Sequence, residues 1–169
     1  MKSTYKLISN TKYVQRVLIV FTLLAVAALQ PAAAESLVIK NLGTLPGGNS
    51  SQAVGINERG QVVAFDASVD RHAFLFEKGV MTDLGTLPGG NKSAAYGINE
   101  RGQVVGSSNT ASGWQQHAFL FEKGVMTDLG TLPGDNQSIA QGINNHGQVA
   151  GYSAPDSSVW HAVLWTRER

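Results

Sequence analysis

Apolar and polar positions alternate in short runs along this chain, and beyond residue 35 no run of ten or more keeps a helical period. Alternation bounded by turn residues predicts β-strands instead. The clearest hairpin runs Ala95–Ile98, then Asn99-Glu100-Arg101-Gly102, then Gln103–Ser107. A second runs His117–Phe121, then Glu122-Lys123-Gly124, then Val125–Leu129. Its first strand sets Phe119 and Phe121 against Ala118 and Leu120, so neither face is polar and burial on both sides is expected.

This two-hairpin pattern occurs three times. Leu-Gly-Thr-Leu-Pro-Gly begins at Leu42, Leu84 and Leu129, offsets of 42 and 45 residues. Gly-Ile-Asn recurs at Gly55, Gly97 and Gly142, Gly-Gln-Val at Gly60, Gly102 and Gly147, and His-Ala at His72, His117 and His161. A fixed period of this length marks a repeat architecture. Asn opening and Gly closing the first hairpin predict a type I turn with a left-handed glycine. Leu-Pro-Gly predicts a type II turn, with Pro presetting φ. The next position, Gly48, Gly90 or Asp135, reads as less demanding because one copy carries a side chain there.

The expected fold is all-β: three tandem four-stranded antiparallel repeats, approximately residues 42–83, 84–128 and 129–169. The third copy ends at His161–Trp165 followed by Thr166-Arg167-Glu168-Arg169, without the partner strand seen in the other two. A matching strand, Leu37–Leu42, precedes the first copy, so residues 36–42 are expected to complete the last repeat and hide two sheet edges. Two closures fit. The units are propeller-blade-like, with two chains combining as a homodimer into a six-bladed ring, or they close with β-trefoil-like pseudo-threefold symmetry.

Residues 1–34 read as a signal peptide: Lys2, Lys6, Lys12 and Arg16, then an apolar Val17–Leu29, then Ala32-Ala33-Ala34. The apolar run is too short to span a bilayer comfortably, so no stable membrane anchoring is expected after cleavage. Export places residues 35–169, read as a single β-repeat domain, in the periplasm or outside the cell. Of the 13 basic residues four lie in the leader and none of the 12 acidic ones do, leaving nine against 12, a net charge of −3. With Arg59, Arg71, Lys78, Arg101 and Lys123 scattered among turns, nucleic acid is not an expected partner. The chain has no cysteine, which excludes disulfides, zinc–thiolate sites and a Cys nucleophile.

Leu-Pro-Gly-Gly, Gly-Ile-Asn-x-x-Gly-Gln-Val-Val-Gly, His-Ala-Phe-Leu-Phe and Asp-Leu-Gly-Thr-Leu, in that order over residues 42–165, resemble the HAF repeat, named for its His-Ala-Phe. The chain departs from that pattern at Ala64 and at His161-Ala162-Val163. The resemblance implies an exported bacterial repeat protein and brings no catalytic residues with it.

Three imidazoles, His72, His117 and His161, could meet on a threefold axis to hold a metal. Each opens a strand in a unit copied whole, so one structural choice appears three times, and no metal or cofactor is expected. Asp83 and Asp128, matched by Asn41, read as strand-end caps and not as an acid–base pair, because equivalent environments do not split pKa values. Asn49, Asn91 and Asn136 open Asn-x-Ser sequences that read as loop turns.

The copies differ most after the first hairpin, where two of the three tryptophans lie among amides and hydroxyls. Variable loops on a rigid scaffold commonly carry binding. Trp114, Gln115, Gln116, Tyr152, Asp156 and Trp160 form the candidate surface, although a tryptophan folded over strand ends as core would leave the same signature. The expected function is a secreted non-catalytic module binding an extracellular glycan or surface protein. A self-associating structural scaffold and a glycan-acting hydrolase are the alternatives.

Overall fold

The computed structural model describes residues 36–67, 71–156 and 158–167, so the expected leader lies outside the described residues. Turns of known chemistry set the strand limits. Asn57, Asn99 and Asn144 accept the amide three residues on, from Gly60, Gly102 and Gly147, each at 3.0 Å. Their side-chain oxygens cap the turn as well: Asn99 Oδ1 accepts Arg101 N and Gln103 N, both at 3.0 Å. In the second hairpins Lys78 and Gly79 both take positive φ, 50° and 86°, as do Lys123 and Gly124 at 53° and 80°. That is a two-residue type I′ turn, whose twist matches that of the strands it joins. The Pro-Gly turns form as expected, Gly47, Gly89 and Gly134 lying at φ 83°, 78° and 88°.

The strands are β1 (Ser51–Ile56), β2 (Val62–Asp66), β3 (Ala73–Glu77), β4 (Val80–Gly85), β5 (Ser93–Ile98), β6 (Val104–Asn109), β7 (Gln116–Glu122), β8 (Val125–Asp128), β9 (Gln137–Ile143), β10 (Val149–Ala154) and β11 (His161–Trp165). They pair consecutively into antiparallel sheets β1-β2-β3-β4, β5-β6-β7-β8 and β9-β10-β11. All lie within Asn41–Arg169, a compact unit of its own.

The sheets meet face to face. Val63 and Ala73 of the first pack with Ala95, Val104 and Phe119 of the second. Val105, Ala118 and Leu120 of the second pack with Ala140 and Val149 of the third. Phe119 and Ala118, neighbours on β7, are both 0% exposed, which is the two-sided burial expected of that strand. The first strands approach so closely that a Cβ on Gly97 would lie 3.2 Å from Gly142 Cα. Glycine is favoured there by the close approach of the strands, not by φ.

A repeated set of polar contacts joins neighbouring sheets. Asn57 Nδ2 donates to Asn99 O and Asn99 Nδ2 to Asn144 O, both at 2.9 Å. Glu58 N donates to Glu100 Oε1 at 2.8 Å and Glu100 N to Asn145 Oδ1 at 2.9 Å. Ser93 Oγ accepts Ala73 N at 2.9 Å, and Ser138 Oγ accepts Ala118 N at 2.8 Å. Both hydroxyls are at most 2% exposed, so each satisfies a buried amide that would otherwise be unpaired.

Two expectations are corrected. Closure as a β-trefoil fails, because among the described residues every ladder runs within one unit and each unit forms its own sheet. The completing strand is also absent: residues 36–42 form no strand, and the third sheet has three strands where the others have four. The physical reason is connectivity. Two-residue turns bring β4 and β8 onto β3 and β7, whereas no hairpin links residues 36–42 to β11. Leu37, Val38 and Ile39 are accordingly 101%, 85% and 99% exposed.

The position after Pro-Gly is also more demanding than expected. A Cβ on Gly90 would fall 2.1 Å from Asn109 O. Asn109 Oδ1 draws the loop in by accepting Asn91 N at 2.9 Å and Lys92 N at 2.7 Å. Ala154 stands at that place in the third unit and cannot clamp the loop, which leaves room for Asp135.

Candidate binding surface

The six candidate residues fall into two groups. The β6–β7 loop carries Trp114 and Gln115, and its conformation is held by its own polar atoms. Thr110 N donates to Gln115 O at 3.0 Å and Gly113 N to Thr110 O at 2.9 Å. Ser112 Oγ bridges Thr110 Oγ1 at 2.7 Å and Gln115 Oε1 at 2.9 Å. Trp114 stands 93% exposed at the tip, so it is not core. Gln116 belongs to β7 and turns away from the tip. Its Oε1 accepts Ser107 Oγ at 3.4 Å, beside a narrow cleft of about 50 Å³ lined also by Arg71, Lys92, Tyr96 and Asn109. Arg71 lies over the Phe65 ring, 3.9 Å from its centroid, a cation–π contact.

The second group is Tyr152, Asp156 and Trp160. Tyr152 on β10 and Trp160 at the end of the following loop meet edge to face, with centroids 4.7 Å apart and planes at 82°. That geometry places the positive ring edge against the negative ring face. Burial pushes the Tyr152 hydroxyl up from its ordinary value of 10.0, and the nearby Tyr96 adds to the shift. Asp156 caps its loop by accepting Ser158 N at 2.7 Å, and the Ser158 hydroxyl and amide hold its carboxyl below the usual range. It is exposed and serves the loop's shape.

Tyr152 also lines a groove of about 390 Å³ together with Val54, Tyr96, Ile139 and Gln141. Val54, Tyr96 and Gln141 occupy the same position in β1, β5 and β9, within Ala-Val-Gly-Ile-Asn, Ala-Tyr-Gly-Ile-Asn and Ala-Gln-Gly-Ile-Asn. The stacking of first strands sets these three side chains along one face. Sequence reasoning missed this position, yet the signal was there: a single variable residue inside an otherwise repeated pentapeptide.

The equivalent histidines pair locally. His72 Nδ1 lies 2.8 Å from Asp83 Oδ2, and His117 Nδ1 lies 2.7 Å from Asp128 Oδ2. Each Asp also caps a strand end, Oδ1 accepting Gly85 N at 2.8 Å and Gly130 N at 2.7 Å. The caps were read from the sequence and the histidine partners were not. In the third unit His161 Nδ1 is 3.8 Å from Asp135 Oδ2, whose carboxylate is nearly buried. A cavity of about 580 Å³ opens beside the first of these pairs, lined by Leu45, Pro46, Gly47, Gly48, Asp66, His72 and Asp83. Among the described residues no three His, Asp or Glu side chains come together as a metal site would require. Comparison of the chain with protein-family models, curated proteins and solved structures returns no match.

Proposed function

We propose that this protein is an exported, non-catalytic binding module whose partner is an extracellular glycan or surface protein. The observation that carries the reading is the groove formed by Val54, Tyr96, Gln141 and Tyr152, with Trp160 set against Tyr152 at its side. It combines flat aromatic surface with amide and hydroxyl groups, the pairing that suits a sugar ring or an extended peptide. Trp160 is 47% exposed, so part of its ring remains free to be covered by a ligand. Burying an aromatic side chain in full is worth about 1.5–3 kcal/mol, so covering the exposed half of Trp160 is worth about 0.7–1.4 kcal/mol, roughly a 3- to 10-fold change in affinity. The leader-like segment and the resemblance to HAF repeats support export.

Titration of intrinsic tryptophan fluorescence with fragments of cell-wall and capsular polysaccharide, and with surface-protein peptides, tests the proposal. Trp160→Ala is expected to weaken binding roughly 3- to 10-fold while the protein stays folded, with a thermal midpoint lowered only by the lost Tyr152 contact. Trp114→Ala measures what the exposed loop tip adds. Unchanged affinity in both variants refutes this surface, and turnover of a polysaccharide refutes the non-catalytic reading.

A further inference from the structure

Among the described residues the first and last sheets each lack, on one side, the neighbour that every internal sheet face has. Ser93 and Ser138 are 2% and 0% exposed, while Ser51, at the same position of the first sheet, is exposed. Ala95 and Ala140 are both 0% exposed, and Ala53 is exposed. Ile56 is 69% exposed, whereas its counterparts Ile98 and Ile143 pack into the cores between sheets. The opposite end mirrors this. Ala73 and Ala118 are fully buried, yet Ala162 is exposed. Leu75 and Leu120 pack between sheets, yet Leu164 is 62% exposed. Asn57 and Asn99 are 8% and 4% exposed, but Asn144 is open to solvent.

These two faces are the two halves of one interface that the chain already builds twice internally. We infer that a second copy of this chain covers them head to tail, the back of the third sheet docking on the front of the first as the first docks on the second. Each of the three bonds that repeat between sheets then has a counterpart across copies. Asn144 Nδ2 donates to Asn57 O, Asn145 N to the Glu58 carboxylate, and Ala162 N to Ser51 Oγ.

The same docking supplies the missing fourth strand. Val38-Ile39-Lys40-Asn41-Leu42-Gly43 corresponds residue for residue to β4, Val80–Gly85, and leads into the first sheet through the same Thr-Leu-Pro-Gly turn. Asn41 Oδ1 already accepts Gly43 N at 2.9 Å, as Asp83 Oδ1 accepts Gly85 N. In the docked pair this segment of one copy lies along the free edge of β11 in the other, as β4 lies along β3. The edge of β11 gains a partner, and Ile39 and Leu42 take the places that Met81 and Leu84 hold on β4, half-buried and buried. A heterologous contact of this kind closes into a ring or runs on as a chain. Two chains would place six sheets in the ring, within the usual range for such folds.

Absolute mass by light scattering over a concentration series of the purified protein tests the inference. Ile56→Glu disables the front face and Leu164→Glu the back, and both side chains are too exposed for either charge to unfold the chain. A thermal melt followed by circular dichroism verifies folding. The wild type is expected at twice the single-chain mass or more, and each variant alone at the single-chain mass. An equimolar mixture of the two variants is expected to recover a two-chain species, since each retains the face the other lacks. A monomeric wild type, association that survives either variant, or a mixture that stays monomeric would overturn the inference.

Discussion

Asn99 and Asn144 occupy the same turn position, and comparing their replacement by alanine isolates what a neighbouring sheet contributes. Within its own turn each makes the same bonds. Asn99 Nδ2 donates to Gln103 Oε1 at 2.7 Å while its Oδ1 accepts two amides. Asn144 Nδ2 donates to Gln148 Oε1 at 2.7 Å, and its Oδ1 accepts His146 N at 2.9 Å and Gln148 N at 3.1 Å. Only Asn99 also reaches across, to Asn144 O at 2.9 Å, and only Asn99 is buried, at 4% exposure. Asn99→Ala therefore strips the buried Gln103 amide of an acceptor, costing about 1–3 kcal/mol, and removes the inter-sheet bond, worth about 1 kcal/mol. The expected total is about 3 kcal/mol. At Asn144 water replaces each lost partner, and Asn144→Ala should cost about 1 kcal/mol. Urea denaturation, run below the concentration at which copies associate, measures both. Equal losses within about 0.5 kcal/mol would refute the claim that the buried inter-sheet ladder stabilises the stack.

Two further outcomes follow from particular contacts. Gly90→Ala should destabilise by about 2–3 kcal/mol, because the new methyl meets the main-chain oxygen of Asn109, which cannot move without breaking the loop clamp. Asp135→Gly should be tolerated, and a neutral Gly90→Ala in thermal denaturation would show that the loop yields. Glu122 accepts Gln103 Nε2 at 2.6 Å, which with Arg167 holds its carboxyl below 4.5. A depressed carboxyl stabilises the fold above its unfolded value and loses that contribution as pH falls through the folded value. Stability should thus drop below about pH 4.5, and Glu122→Gln should flatten that part of the profile; an unaltered profile in the variant would show that the pair contributes nothing.

Much of this architecture was legible because it is local. The Asn-x-x-Gly turns, the Pro-Gly turns and the strands between them rest on bonds spanning three or four residues, and such geometry is written into consecutive side chains. The two-sided burial of β7 was readable for a related reason, since Ala118-Phe119-Leu120-Phe121 leaves no polar face. The Asp83 and Asp128 caps were legible in the same way, while their histidine partners, 11 residues away, were not.

What the residues alone determined is therefore the unit: its strands, its turns and its threefold recurrence. Tertiary structure decided how the units meet and what each copy of a residue does. Ser51, Ser93 and Ser138 are one letter at one repeat position, yet one lies in solvent and two are buried acceptors. Val54, Tyr96 and Gln141 become one groove only when their strands stack. The separate pairing of each unit ruled out the trefoil, and among the described residues the first and third sheets each keep one face that no sheet of the same chain covers. The physical reason is that hairpins are closed by neighbours in sequence, whereas burial depends on which sheet lies across the face, and identical units cannot encode their own neighbours.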